Sequence, residues 1–288
     1  MAKRALKNNV KIGAHVSVSG GFLMALERAK EMGANCIQIF GASPVRWQAL
    51  LPSLKEAKEF KSLAQKLEIR PIFLHAPYLI NLASANERLA KISTQLLKRH
   101  LEIANFLGTQ GVIFHIGSKG QRPQAEAEEL VAKNIKEIFS LVKEGFLLIE
   151  NSAGAGNLVG DTLEEIGRVI EKVANPRLGF CYDTAHGFEA GVLVDFSNDS
   201  LDSFVEKVEK LIGLERWLAI HANDSATAAF SNKDRHENIG QGYLGKEAFY
   251  KMLHHPEFRK RPFILEVPGF DDQGPDKENI DILKSLAY

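Results

Sequence analysis

Eight short apolar runs, separated by amphipathic segments, recur along the chain and constrain its fold more than any other feature. The runs are KIGAHVSV (11–18), CIQIF (36–40), RPIFLHA (70–76), GVIFHIG (111–117), FLLIEN (146–151), LGFCYDTAH (178–186), WLAIHAND (217–224) and PFILEVPG (262–269). Such runs are typical of strands buried in a parallel sheet and covered by helices. Eight units in 288 residues favour a closed (β/α)8 TIM barrel, with an open doubly wound α/β sheet as the alternative.

The segments between the runs carry helical patterns. Residues 87–106 place apolar side chains at steps of three and four, which predicts an amphipathic helix. Thr162 and Glu165 have the spacing of a capping box, so another helix is expected to begin there. No linker or low-complexity tract interrupts the alternation, and we therefore predict one barrel domain over residues 1–288.

Composition limits the cellular setting and the partners. Thirty-six Lys and Arg balance thirty-six Asp and Glu, so any site for a polyanion must be local. Cys36 and Cys181 cannot form a disulfide framework, and the first residues lack the apolar stretch of an export signal. The apolar runs are too short to cross a membrane. We expect a cytoplasmic protein that acts as a monomer.

Polar residues suited to metal binding or catalysis follow the apolar part of six runs. They are His75, His115, Glu150, Asp183 with His186, His221 and Glu266. In a barrel the C-terminal ends of the strands meet at one rim, which carries the active site in enzymes of this shape. The segment KDRHENIGQG (233–242) reads as a loop and adds Asp234 and His236, which point the same way on an extended backbone.

Each of these residues, taken singly, has a structural explanation. A lone histidine on an apolar strand is commonly buried and hydrogen-bonded, Asp183 could cap a helix, and Asp234 with His236 could form an ion pair. Together they are costly to bury unless they bind cations. Imidazole and carboxylate suit Zn²⁺, Mn²⁺ or Fe²⁺. Nine candidates are too many for one ion, and two or three closely spaced metals are typical of phosphoester hydrolysis.

The segments that carry these residues resemble the endonuclease IV (deoxyribonuclease IV) family of abasic-site endonucleases. The matching motifs are GAHVSVSGG at Gly13, YLINLAS at Tyr78, HIGS at His115, IENSAGAGN at Ile149, CYDTAHGFEAG at Cys181, HANDS at His221, KDRHENIGQG at Lys233 and EVPG at Glu266. The resemblance extends over nearly the whole chain, and CYDTAH and DRHENIGQG are specific. All nine ligand positions of the family hold a matching residue type.

The resemblance implies three Zn²⁺ ions per chain, with Mn²⁺ or Fe²⁺ as alternatives at some sites. The implied ligand sets are His75, His115 and Glu150; Glu150, Asp183, His221 and Glu266; and His186, Asp234 and His236. Glu150, which would bridge two ions, and Glu266 are the implied catalytic residues. The implied reaction is hydrolysis of the phosphodiester 5′ to an abasic site in duplex DNA, leaving a 3′-hydroxyl and a 5′-deoxyribose phosphate. Removal of 3′ blocking groups is implied as well.

The resemblance also implies contacts with DNA. Tyr78 and Leu79 match side chains that family members push into the base stack. The family commonly has an arginine where this chain has Val45, and the neighbouring Arg46 is the expected substitute. His15 faces the same rim, either beside the metals and the phosphate or as a structural histidine. The remaining histidines, His100, His254 and His255, are expected to be solvated.

Two other functional classes fit parts of the pattern. A sugar isomerase or epimerase on a similar barrel would use one divalent metal and a smaller ligand set, which leaves Asp234, His236 and His75 without a role. A noncatalytic protein that binds damaged DNA would retain the ligands for stability alone. The number of metals per chain distinguishes the first class from an endonuclease, and cleavage of an abasic duplex distinguishes the second.

Overall fold

The eight predicted strands close into a parallel barrel in the computed structural model, which describes residues 10–288. Residues 1–9 of the predicted domain lie outside the described part. The barrel strands are β1 (Ile12–His15), β2 (Cys36–Phe40), β3 (Ile72–His75), β4 (Gly111–Phe114), β5 (Phe146–Glu150), β6 (Leu178–Asp183), β7 (Trp217–His221) and β10 (Phe263–Leu265). Each pairs in parallel with its neighbours, and β1 joins both β2 and β10. This closure confirms the TIM barrel and excludes the open sheet.

Helices follow the strands and cover the outside of the barrel. They are α1 (Phe22–Met32), α2 (Leu54–Lys66), α3 (Glu87–Leu107), α4 (Gln124–Leu141), α5 (Leu163–Val173), α6 (Thr184–Glu189), α7 (Asn198–Leu211), α8 (Gly245–His254) and α9 (Lys277–Ala287), with 3-10 turns at Leu214–Arg216 and Phe258–Lys260. The helix predicted over 87–106 is confirmed as α3, which begins after the cap Asn86 and ends at Gly108 in the left-handed conformation. In the described part of the chain, none of these helices has the length and apolar character needed to cross a membrane.

The barrel interior contains a compact apolar layer, which we call the floor. It consists of Cys36, Phe73, Ile113, Leu148, Cys181, Ala219 and Ile264, all fully buried. On β1 the chain passes close to its neighbour at Gly13, where a β-carbon would lie 1.6 Å from the carbonyl oxygen of Cys36. A glycine is required there because any side chain would separate β1 from β2.

Three local expectations differ from the structure. Thr162 does cap α5 by accepting from the Glu165 amide, but the Glu165 carboxylate accepts from the Gly160 and Asp161 amides instead of closing a capping box. The segment read as a loop contains β9 (His236–Glu237), which pairs with β8 (Asp224–Ser225). The prediction of solvated histidines is wrong for His100 and His255, which are buried. His100 lies on the apolar face of α3, four residues after Leu96, and His255 Nε2 lies 3.0 Å from Asp202 Oδ1 on α7.

Candidate metal centre

The strand-end residues form one cluster directly above the floor. The order along a strand is regular: His75 follows Phe73 by two residues, and Glu150 follows Leu148 by two. Because side chains alternate along a strand, both members of each pair point into the barrel, one layer apart. The cluster is therefore a direct consequence of the two-residue period at the C-terminal strand ends.

Glu150 lies at the centre of this cluster. Its Oε1 is 2.9 Å from His221 Nδ1, and its Oε2 is 3.1 Å from His75 Nε2 and 3.4 Å from His115 Nε2. Burial alone would raise the pKa of Glu150, but His115 and His221 hold the pKa of this carboxyl well below its usual range. Since His186 Nδ1 is also 3.4 Å from Oε1, Glu150 is an anion that four imidazoles face.

The ligand atoms fall into three overlapping groups, each with all its members within 4.8 Å of one another. The groups are His75, His115 and Glu150; Glu150, Asp183, His221 and Glu266; and Asp183, His186 and His236. The first two coincide with ligand sets implied by the sequence. In the third, Asp183 takes part alongside the two histidines, because its Oδ2 is 3.6 Å from His236 Nε2.

Asp234 stands at the open side of the third group. Its Oδ1 is 3.4 Å from His186 Nε2 and 3.7 Å from His236 Nε2, and its side chain is 61% exposed. The hydrogen bond with His186 lowers the pKa of Asp234 to about 2. Asp183 serves as both cap and cluster member, since its Oδ1 accepts from the His186 amide at the start of α6.

Each of four histidines binds a protein oxygen with its outer nitrogen. Nδ1 of His75 lies 2.7 Å from Ala76 O, Nδ1 of His186 lies 3.0 Å from Asn151 O, and Nδ1 of His236 lies 3.1 Å from Glu266 O. On His221 it is Nε2 that lies 2.9 Å from Gln38 Oε1. These oxygens can only accept, so each outer nitrogen donates and the inner nitrogen keeps its lone pair in the neutral ring.

The inner nitrogens consequently face other electron-rich atoms. His186 Nε2 and His236 Nε2 are 3.3 Å apart, and His221 Nδ1 is 3.3 Å from Glu266 Oε2. Without a cation between them, such contacts require a proton on one of the two atoms. Burial lowers the pKa of His186 and His221, but the nearby carboxylates outweigh burial and raise both pKa values well above the ordinary value. The donor set fits divalent metals, whose histidine ligands typically donate their second nitrogen to an acceptor in this way.

The chain is similar to known proteins in both sequence and fold. A family model described as a xylose isomerase-like TIM barrel matches residues 26–286. The chain is 37% identical over 281 residues to a probable endonuclease 4 of Thermosipho africanus, which covers 96% of this chain and 99% of that protein. The crystal structure of endonuclease IV from Thermus thermophilus superposes with a TM-score of 0.83 at 30% identity, over 96% of this chain and 98% of that one.

The chain belongs to the endonuclease IV family. The barrel itself is more widely shared: a D-tagatose 3-epimerase-like protein superposes with a TM-score of 0.70 at 21% identity, over 96% of each chain. That second likeness concerns the fold alone. Membership of the endonuclease IV family therefore rests on sequence identity across the whole barrel together with the rim motifs.

Sequence reasoning missed several members of the endonuclease IV site. Gln38 is fully buried on β2, and its Nε2 donates to Glu266 Oε1 at 2.5 Å. Asn223 Nδ2 donates to Asp183 Oδ2 at 2.7 Å, and Asn151 Nδ2 donates to the Asp183 carbonyl. A polar residue in the middle of the apolar run CIQIF was the available signal for Gln38, because it stands two residues after Cys36 in the floor.

His15 joins the same cluster. Its Nδ1 is 3.2 Å from Glu266 Oε1 and 3.0 Å from Gln38 Nε2, and burial lowers its pKa. Of the two interpretations left open by the sequence, this geometry favours a role beside the ligands, because His15 and Gln38 contact the same carboxylate oxygen. Both residues orient Glu266 from the β1 and β2 side of the barrel.

Of the predicted DNA-contacting residues, Tyr78 lines the opening of the site. A cavity of about 610 Å³ lies above the cluster, and Tyr78 lines it together with His75 and Glu266. The Tyr78 ring is 71% exposed and lies edge-on to Phe40 with 5.8 Å between ring centroids. Leu79 is half-buried beside it, and Arg46 is exposed in the β2–α2 loop.

Proposed function

We propose that the protein is a metal-dependent endonuclease that hydrolyses the phosphodiester 5′ to an abasic site in duplex DNA. The products would carry a 3′-hydroxyl and a 5′-deoxyribose phosphate, and 3′ blocking groups would be removed at the same site during base excision repair. The observation that carries this proposal is the set of three overlapping ligand groups at an open cavity in a chain of the endonuclease IV family. A site built for one ion would not need three groups.

We assign three Zn²⁺ ions to the nine ligands, with Mn²⁺ or Fe²⁺ as alternatives. The ligands are His75, His115, Glu150, Asp183, His186, His221, Asp234, His236 and Glu266. When bound, closely spaced divalent cations supply charge that activates water and stabilises a leaving oxygen. Glu150 and Glu266 are the residues to which we assign catalysis, because both join the group of four ligands and Glu150 is shared with the first group.

The protein side chains prepare this chemistry before DNA binds. The outer hydrogen bonds of His75, His186 and His236 fix the ring orientations and leave the inner nitrogens free. Four carboxylates contribute four negative charges, fewer than the six positive charges of three divalent ions, so the loaded site attracts a phosphate. A chain of zero net charge can therefore bind DNA locally at its rim.

Recognition of the lesion would depend on shape. A nucleotide without its base has lost stacking and pairing, so turning it out of the helix costs less than for an intact nucleotide. Tyr78 lines the cavity, and it could fill the gap in the base stack together with the adjacent Leu79, while Arg46 could contact the minor groove.

The proposal is tested by counting metals and measuring cleavage on one preparation. Elemental analysis of undialysed protein should give about three divalent metals per chain. A duplex with a single tetrahydrofuran abasic mimic should be nicked 5′ to the mimic, with loss of activity in chelator and recovery on adding Zn²⁺. The same duplex with an intact nucleotide is the control and should remain whole.

Other outcomes would favour the alternative classes. About one metal per chain and no nick would contradict the endonuclease and favour a sugar isomerase or epimerase. Three metals with tight binding of the abasic duplex but no nick under any metal would favour a noncatalytic binding protein. A second substrate with a 3′-phosphate end tests the removal of blocking groups separately, because its product is a primer that a polymerase can extend.

A further inference from the structure

The segment that delivers Asp234 and His236 to the site has little support of its own. It connects β8 to β9, whose ladder consists of two residue pairs, Asp224 with Glu237 and Ser225 with His236. Residues 232–235 between them are exposed. A connection of this kind would move freely unless a rigid part of the barrel holds it, and metal ligands need fixed positions.

Glu189 is the buried side chain that contacts this segment. Its Oε1 accepts from the Arg235 amide at 3.2 Å and from Ser225 Oγ at 2.6 Å, and its own backbone carbonyl accepts from the Asn232 amide at 3.1 Å. The Arg235 amide lies between Asp234 and His236 in sequence. Glu189 therefore holds the backbone on which both side chains stand, together with the Ala226 amide, which donates to the Arg235 carbonyl at 2.9 Å.

Glu189 lies on α6, the same helix that carries the ligand His186. His186 lies three residues earlier on the same helix, so the two side chains are separated by about one turn. The helix begins directly after β6, which places Asp183 in the cluster. A single short rigid element thus carries His186 into the site and holds the loop that brings Asp234 and His236.

Burying a carboxylate costs free energy, so packing alone does not account for a glutamate at position 189. Glu189 is fully buried, and its Oε2 has no hydrogen-bond partner among the described residues. Leaving such an atom unpaired lowers the stability of the folded chain. The remaining contacts of Glu189 all lead to the ligand segment or its β8 partner, which indicates what the residue is kept for.

We propose that Glu189 is a positioning residue that sets the geometry of the metal group formed by His186, Asp234 and His236. This inference rests on the proposed function, since it assumes that the group holds an ion. It concerns the anchor rather than the ligands, and Glu189 itself stays outside the group of atoms that face the ion. Loss of the anchor should loosen one ion and leave the other two in place.

The test compares four variants of the full-length, metal-loaded chain. E189L removes the acceptor, E189D withdraws it by one methylene, and E189Q keeps an acceptor oxygen at the same length. E128L is the matched control, because Glu128 is also buried but pairs with Arg168 on the outside of the barrel. Metals per chain are counted after timed exposure to EDTA, and hydrogen exchange is measured for residues 230–238.

We expect E189L to release about one metal per chain roughly 10-fold faster than the unsubstituted protein, as for loss of other groups that orient ligands. Exchange at residues 230–238 should rise in E189L and less in E189D, and E189Q should resemble the unsubstituted chain. E128L should lower the thermal midpoint without selective metal loss. If E189L does not fold, E189D provides the same comparison with a smaller effect.

Equal release of all metals in E189L, or the same pattern in E128L, would overturn the role of Glu189. So would unchanged hydrogen exchange in both E189L and E189D. If the unsubstituted chain carries no metal at all, the proposed function itself fails, and that result is recognisable before any variant is made. The two failures are therefore distinguishable in one series of measurements.

Discussion

The floor of the barrel and the metal cluster above it are built by the same strands and differ completely in chemistry. Seven strands each contribute one residue to the floor and, two residues later, one to the cluster. The pairs are Cys36 and Gln38, Phe73 and His75, Ile113 and His115, Leu148 and Glu150, Cys181 and Asp183, Ala219 and His221, and Ile264 and Glu266. A step of two residues is enough to change from apolar packing to polar groups, which are ionisable in six of the seven pairs.

The difference teaches how one barrel separates stability from chemistry. Apolar side chains in the floor gain free energy simply by leaving water. The layer above gains nothing in that way, because its carboxylates and imidazoles lose hydration and must be compensated by one another, by protons or by cations. Changes in the floor should therefore alter the free energy of unfolding, whereas changes in the cluster should alter metal content and activity.

The largest effect is expected from Glu150→Gln. Glu150 faces four histidines, and a neutral amide cannot replace the charge shared by two ligand groups. Nicking of the tetrahydrofuran duplex should fall about 1000-fold, the scale seen when a group that stabilises transition-state charge is lost. Leu148→Met, two residues earlier in the floor, is the control and should keep its activity. A Glu150→Gln protein with normal metal content and rate would contradict the assignment.

The reverse experiment alters the floor. Phe73 is fully buried two residues before His75, and Phe73→Ala should lower the free energy of unfolding by about 3–5 kcal/mol through lost burial and a cavity. Denaturant unfolding measures this cost, and elemental analysis of the folded protein should still find the full metal count. Loss of metal without loss of stability would break the separation between the two layers.

Removal of the metals should destabilise the protein, and more so at high pH. A site that is occupied at about 100 times its dissociation constant contributes about 3 kcal/mol per ion. In the chelated chain the raised pKa values of His186 and His221 contribute stability below the ordinary value of 6.5, and this contribution is lost as the pH rises through the folded values. The chelator-induced drop in thermal midpoint should therefore be larger at pH 8 than at pH 6. The opposite order would argue against these histidines as ligands.

The two-residue period explains why so much could be predicted from sequence. An apolar run that ends in His75, Glu150 or Asp183 specifies both a buried strand and the direction of its last side chain. The same pattern therefore predicts the barrel and the position of the site at its rim. The same rule applied to CIQIF would have found Gln38. It was overlooked because an amide gives no sign of metal binding by itself.

The remaining features depend on contacts that no local pattern carries. The β8–β9 ladder pairs residues eleven and thirteen positions apart, and the acceptor of the Arg235 amide is Glu189 on α6. Asp183 takes part in the third ligand group because α6 begins at the strand end, a matter of tertiary geometry. His100 is a different case, because it lies four residues after Leu96 and three before Ile103, on the buried face of α3; the prediction of solvation followed its residue type and not the helical period.

A smaller effect is expected from Gln38→Leu, which extends the apolar chemistry of the floor into the cluster. Gln38 accepts from His221 Nε2 at 2.9 Å and donates to Glu266, so its loss removes the outer acceptor of His221 and leaves His15 to orient Glu266. Metal affinity or nicking should fall about 10–100-fold, as for other groups that orient ligands. Gln38→Glu is the comparison variant, since it keeps an acceptor for His221. An unchanged metal affinity in Gln38→Leu would show that the two ligands orient themselves.

The smallest predicted change lies outside both layers, at the rim. Tyr78 is 71% exposed beside the cavity, and its ring centroid lies 5.8 Å from that of Phe40 and 6.3 Å from that of His75. If the ring fills the gap left by the missing base, Tyr78→Ala should weaken binding of the abasic duplex about 10-fold, on the scale of one lost stacking contact. Metal content and the rate with saturating DNA should not change. The matched control is Tyr250→Ala, because Tyr250 is an exposed tyrosine on α8. An equal loss of DNA binding in both variants would show that Tyr78 has no specific role at the abasic site.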